Sequence, residues 1–150
     1  MGLKVQIEQD LKRAMLAGQK DQVTILRGIK SVILNAEITA HKRDYGLDEN
    51  ELVNLLQKEA KKRQESAELY KQGGNSERAE AELAEKRLIE TYLPAPVSEA
   101  GIIRAVDKIM AETGAADIQA MGQVIGQVKR ELGPSADGAL VARIVKERLS

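Results

Sequence analysis

Apolar residues recur along this chain at intervals of three and four, the spacing of one face of an α-helix. Leu3, Ile7, Leu11, Ala14 and Met15 share such a face. They predict a first helix over Leu3 to Ala17, with Gly18 as its stop. Asp21 is placed to cap a second helix that runs to about Lys42. Val23, Ile25, Leu26, Ile29, Val32, Ile33, Leu34 and Ala36 cover a wide arc of it, which predicts contact on several sides and a central place in a bundle. Asp44-Tyr45-Gly46-Leu47 reads as a loop. Asp48, with Glu51 three residues on, has the form of an acidic capping box and opens a third helix. Leu52, Leu55, Leu56, Ala60 and Tyr70 form its face, and Gly73-Gly74 ends it. Asn75 or Ser76 starts a fourth helix carrying Ala79, Leu83, Ile89 and Leu93.

Pro94-Ala95-Pro96 interrupts this pattern, because proline lacks a backbone donor and biases the residue before it to extended geometry. Beyond it, Ser98 caps a fifth helix with Ile102, Ile103, Val106, Ile109 and Met110, and Gly114 ends it. A sixth helix from about Asp117 carries Met121, Val124, Ile125, Val128 and Leu132, and Gly133-Pro134 stops it. Asp137-Gly138 could open a hairpin, but Val141, Val145 and Leu149 repeat every four residues and favour a seventh helix. No segment alternates with period two. The expectation is an all-α protein of two modules: an N-terminal bundle of about four helices over residues 1–93, and a three-helix module over residues 94–150. The second module is short for a domain standing alone.

Composition narrows the chemistry. The 150 residues contain no Cys, no Trp, no Phe and a single His. Thiolate nucleophiles and Cys-based or multi-His metal sites are thereby excluded. Lys plus Arg and Asp plus Glu number 23 each, so the chain exerts no general pull on nucleic acid or anionic lipid, and such binding requires local segregation of charge. No apolar run approaches the roughly 20 residues of a membrane span. The start, Met1-Gly2-Leu3-Lys4, turns charged at once and does not read as a signal peptide. Gln6 stands where a myristoylation site wants Ser or Thr. The expected location is cytoplasmic, and no metal, cofactor or membrane is expected.

Each chemically suggestive residue also has a plain structural reading. Lys58, Lys61, Lys62 and Arg63 form the densest basic run, interleaved with Glu59 and Glu65. They are either a solvated face or a strip for phosphates. Lys129, Arg130, Lys146 and Arg148 offer a smaller basic patch. Gly122 and Gly126 fall on the sixth helix, where an interior glycine costs roughly 1 kcal/mol against alanine. Close helix packing, or close approach of an RNA backbone or partner surface, would offset that cost. His41 sits at a polar helix end, where a cation is favourable. Ser66 follows Lys62 by four residues, a spacing open to a nucleophile–base pair, but no oxyanion site accompanies it. Three scattered tyrosines, Tyr45, Tyr70 and Tyr92, are too few for base stacking along a strand. Glu80, Glu82 and Glu85 lie on a helix surface rich in i,i+4 pairs such as Arg78–Glu82 and Lys86–Glu90, which reads as a solvated face. No catalytic constellation emerges.

Taken in order, several segments resemble one family. Lys62-Arg63-Gln64-Glu65-Ser66-Ala67-Glu68-Leu69-Tyr70 is similar to the K-R-x-x-S-x-x-x-Y segment of the GatB/YqeY family. Thr91-Tyr92-Leu93-Pro94 resembles its Y-L-P junction, and Met121-Gly122-Gln123-Val124-Ile125-Gly126 its M-G-x-V-M-G helix. Ala136-Asp137-Gly138, followed by Val141 and Ile144-Val145-Lys146, resembles its A-D-G-x-x-V-x-x-I-V-K ending, and Ile25-Leu26-Arg27 its L-L-R. The resemblance covers essentially the whole chain and points to the free-standing YqeY-like group. It implies an all-helical fold similar to the C-terminal tail of the B subunit of glutamyl/aspartyl-tRNA amidotransferase. In that enzyme other domains do the chemistry, and the tail reaches toward the tRNA. The implied function is a non-catalytic, tRNA-associated module, with tRNA or the proteins of tRNA amidation and aminoacylation as partners. A protein–protein adaptor without nucleic acid and an independent glutamine-dependent carbon–nitrogen ligase are the alternatives. The family often carries a basic residue in the loop before Ala136-Asp137, where this chain has Ser135.

Overall fold

The computed structural model describes residues 2–150; Met1, the first residue of the N-terminal motif, lies outside them. The fold is all-α, as the periodicity predicts, with seven helices among the described residues: α1 (Leu3–Leu16), α2 (Lys20–Thr39), α3 (Glu49–Gln72), α4 (Ser76–Glu90), α5 (Glu99–Thr113), α6 (Met121–Leu132) and α7 (Gly138–Leu149). Single 3₁₀ turns at Ile118–Ala120 and Gly133–Ser135 flank α6. The chain divides into two compact units, Met1–Leu93 and Pro94–Ser150.

Local chemistry sets most helix ends. The Asp48 carboxylate accepts from the Glu51 N–H at 2.8 Å while the Glu51 carboxylate accepts from the Asp48 N–H at 3.1 Å. Asn75, Ser98 and Asp137 cap α4, α5 and α7 in the same way, each with a side-chain oxygen that takes up an otherwise unpaired N–H. Gly114 ends α5 in the left-handed region at φ 71°, which glycine adopts without a Cβ penalty. Three expectations need correction. Asp21 lies in the first turn of α2, not at its cap, which is Gln19. Asp117 caps the 3₁₀ turn, so α6 proper begins only at Met121. And α2 is not enclosed: it buries one stripe, Leu26, Ile29, Ile33 and Glu37, while Leu34 of its apolar arc, and Ile38 beyond that arc, face solvent.

In the first unit, Ile7 and Leu11 of α1, Leu26, Ile29 and Ile33 of α2, Leu52 and Leu56 of α3 and Ile89 of α4 form one core, closed by Tyr92. Tyr92 donates to the Asp10 carboxylate at 2.6 Å and ties the end of α4 to α1. Burial, with that carboxylate beside it, raises the phenol well above the ordinary tyrosine range. The second unit has a separate and wholly aliphatic core, in which Ile102, Val106, Val124, Val128, Val141 and Val145 are sealed from solvent.

Candidate nucleic-acid interface

The basic run of α3 is split by its own helix. Lys58, Lys61 and Lys62 are exposed and have no ion pair among the described residues. At about 100° per residue they fall on one side of the helix, with the exposed Glu65 among them. Arg63 points the other way. Its guanidinium meets Glu82 at 3.0 Å, Glu59 at 3.4 Å and Glu85 at 3.5 Å, while its Nε is buried without an acceptor. A guanidinium held by three carboxylates between two helices is committed to joining them, so Arg63 does not belong with the exposed lysines. The charged side of α4 is likewise not a plain solvated face. Lys86 keeps its expected pair with Glu90 at 3.5 Å, but it also donates to Gln64 at 2.9 Å, Glu82 pairs across to α3 in place of Arg78, and Arg78 lies 5.9 Å from the centre of the Tyr70 ring. Burial raises the Glu85 carboxyl above its usual range, with the charge of Glu82 adding to the effect and Arg63 opposing it.

The second unit presents a different surface. Gly122, Gly126, Lys129 and Arg130 lie within about 100° of arc on α6. A Cβ added at Gly122 would meet no neighbouring atom within 4 Å, and one at Gly126 would meet only the Arg130 guanidinium, at 4.0 Å. Close packing against another helix therefore does not account for these glycines. Gly122 is also the second residue of α6, so its place in the first turn lowers the cost expected for a helix interior. Lys129 crosses to the start of α7, where its Nζ lies 3.3 Å from the position of a Gly138 Cβ. The ammonium thus stands beside the first turn of α7, whose Ala139 and Leu140 N–H groups are already taken by the Asp137 carboxylate, so the charge offered to an anion here is that of Lys129. Arg130 and Lys146 are exposed as well, and none of these three cations is ion-paired among the described residues. Lys146 sits about 12 Å along α7 from Gly138 at 1.5 Å per residue. Arg148, by contrast, pairs with Asp107 at 3.3 Å.

The other sequence candidates take structural places. His41 adopts φ 57° at the chain reversal after α2. The Ser66 hydroxyl and the Lys62 ammonium share no hydrogen bond. Among the described residues no group of three or more His, Asp or Glu side chains could hold a metal ion, and no helix is long and apolar enough to cross a membrane. Sequence reasoning missed Asp10 and Glu37. Glu37 is a fully buried carboxylate on an otherwise apolar stripe, and the Lys4 ammonium donates to it at 2.9 Å.

Two helical units with exposed, unpaired cations define a class of helical scaffold that presents charged faces. Residues 4–149 match the family described as Yqey-like protein, and the chain belongs to that family. It is 37% identical over 108 residues to the altered inheritance of mitochondria protein 41, mitochondrial, of Lachancea thermotolerans, which covers 71% of this chain and 57% of the relative. The protein of the same name from Eremothecium gossypii is 35% identical, covering 63% and 51%. The one from Clavispora lusitaniae is 31% identical over 132 residues, covering 86% and 75%. The chain spans about half the length of the first two of these relatives. Neither the family description nor these names specify a reaction.

Proposed function

We propose that this protein is a non-catalytic binding module for tRNA, accessory to tRNA-dependent amidation in the cytoplasm, with residues 1–93 and 94–150 serving as separate functional modules. The observation that carries this reading is the uncovered glycine face of α6 beside Lys129 and Arg130. A bare helix backbone lets a sugar–phosphate chain approach closely, and the two cations meet its charge. Lys146 extends the contact along α7. Lys58, Lys61 and Lys62 supply a second, weaker strip that Glu65 interrupts. With three tyrosines and no other aromatic residue, recognition runs through phosphates, 2′-hydroxyls and shape.

Phosphate contacts release counterions, so affinity falls steeply with salt. Titration with unmodified tRNA at low and moderate salt tests the reading. Salt-sensitive binding at micromolar protein supports it, and its absence rejects it.

The exposed Leu34 and Ile38 on α2, together with the balanced net charge, favour a second reading as a protein–protein adaptor. Pull-down of amidotransferase or synthetase subunits from nuclease-treated lysate separates the two, because an adaptor keeps its partner when RNA is removed. Glutaminase or ATPase turnover by the purified chain, lost on Lys62→Ala or Ser66→Ala, would instead make it a ligase in its own right.

A further inference from the structure

The first unit contains a cleft of about 280 Å³ between α1 and α2, whose polar lining is Lys4, Glu8, Lys30, Ser31, Glu37 and Arg43. Its charges are unevenly spent. Lys4 donates to both oxygens of the buried Glu37, at 2.9 and 3.3 Å, which leaves one of its three N–H donors free. Lys30 and Glu8 are 4.0 Å apart, at the limit of an ion pair. Arg43 is exposed and has no partner among the described residues.

The backbone delivers Arg43 to this place. After α2 the chain reverses through His41 at φ 57°, a conformation costly for a residue with a Cβ. The Lys42 N–H then bonds back to the Glu37 carbonyl at 2.7 Å, and the Gly46 N–H to the Lys42 carbonyl at 2.7 Å. The Lys42 side chain pairs with Glu51 of the α3 capping box. Residues on either side of Arg43 are thus fixed while its own guanidinium stays free at the cleft. Buried Glu37 holds the Lys4 ammonium at the same cleft. Ile7 and Ile33 make an apolar floor, with the exposed Leu34 at its edge.

We propose that this cleft binds a small phosphate monoester with a short aliphatic body. Arg43 and Lys30 take the phosphate oxygens, Lys4 and the Ser31 hydroxyl add donors, and the aliphatic part lies on the floor. A phosphate suits the site better than a carboxylate, because its three terminal oxygens can engage Arg43, Lys30 and the remaining Lys4 donor together. Butyl phosphate is a compact member of this class.

The test is titration of the full chain with butyl phosphate, inorganic phosphate and valerate, followed through backbone amide shifts. Saturable shifts at Lys4, Lys30, Ser31, Leu34 and Arg43 are expected with butyl phosphate, with weaker binding of the other two. Arg43→Ala, a substitution at an exposed and unpartnered position, should weaken butyl phosphate roughly tenfold or more. Lys129→Ala should leave this binding unchanged whether or not tRNA binds the second unit, so the two proposals fail separately. Unsaturable shifts, valerate or inorganic phosphate binding as tightly as butyl phosphate, or full affinity in Arg43→Ala would each overturn the assignment.

Discussion

The two units solve the same problem with different materials. The first buries Glu37 and the Tyr92–Asp10 contact at its edges, and joins α3 to α4 through Arg63 and its three carboxylates. The second buries only aliphatic side chains, most of them valine, isoleucine or alanine. In the first unit much of the charge is spent on internal positioning. In the second the core needs no charge, so Lys129, Arg130 and Lys146 stay unpaired on the surface. A basic residue is therefore a poor guide to a binding face until its internal partners are known. Arg63, in the densest basic run, is taken, whereas Lys129, Arg130 and Lys146 of α6 and α7 are free.

The contrast can be broken by substitution. The largest effect is expected for Ile102→Ala, which opens a cavity in a core with no polar contacts to compensate. It should cost about 2–5 kcal/mol in urea denaturation, and a loss below about 1 kcal/mol would contradict the close packing of that core. Tyr92→Phe should cost the first unit about 1–2 kcal/mol at neutral pH through loss of the hydrogen bond to Asp10. The raised phenol adds a signature. Its contribution is complete below the ordinary tyrosine value near 10 and is lost as pH rises from there toward its higher folded value. The stability gap between the wild type and Tyr92→Phe should thus hold steady from pH 6 to 9 and narrow above about pH 10.

Smaller effects sharpen the comparison. Gly126→Ala should stabilise the second unit by about 0.5–1 kcal/mol, since α6 gains helix propensity and the new Cβ meets only a movable guanidinium. Destabilisation in thermal melts would restore the packing explanation for this glycine. Glu85→Gln should lie within about 0.5 kcal/mol of zero at pH 7, on the stabilising side. Its carboxyl is raised, so it favours the fold below about pH 4.3 and loses that contribution as pH rises through its folded value. Any advantage of the amide should consequently vanish in acid.

What the sequence made legible was local. Asp48 with Glu51, Asn75 and Ser98 were readable at helix starts because the partner of each is three residues away, and the aliphatic stripes of α5 to α7 were readable because a helix repeats in register. What stayed hidden depended on contacts across the fold. Tyr92 and Asp10 are 82 positions apart, and Glu37 and Lys4 are 33 apart. Nothing in a helical stripe marks Glu37 as buried, since a glutamate at that spacing reads as the polar edge of the face. The over-reading of α2 has the same origin: periodicity counts apolar positions, but only the neighbouring helices decide which are covered. Of the candidate interface, the glycines and Lys129 were visible as residues, while the reach of Lys129 to Gly138 follows from the packing of α6 against α7.

The most direct test is the salt dependence of tRNA affinity in two double variants. For Lys129→Ala/Arg130→Ala the account predicts weaker binding and a logarithmic salt slope lower by about two, close to one per lost phosphate contact, whereas Lys58→Ala/Lys62→Ala changes the slope less. An unchanged slope in the α6 variant, with the larger loss in the α3 variant, would contradict it.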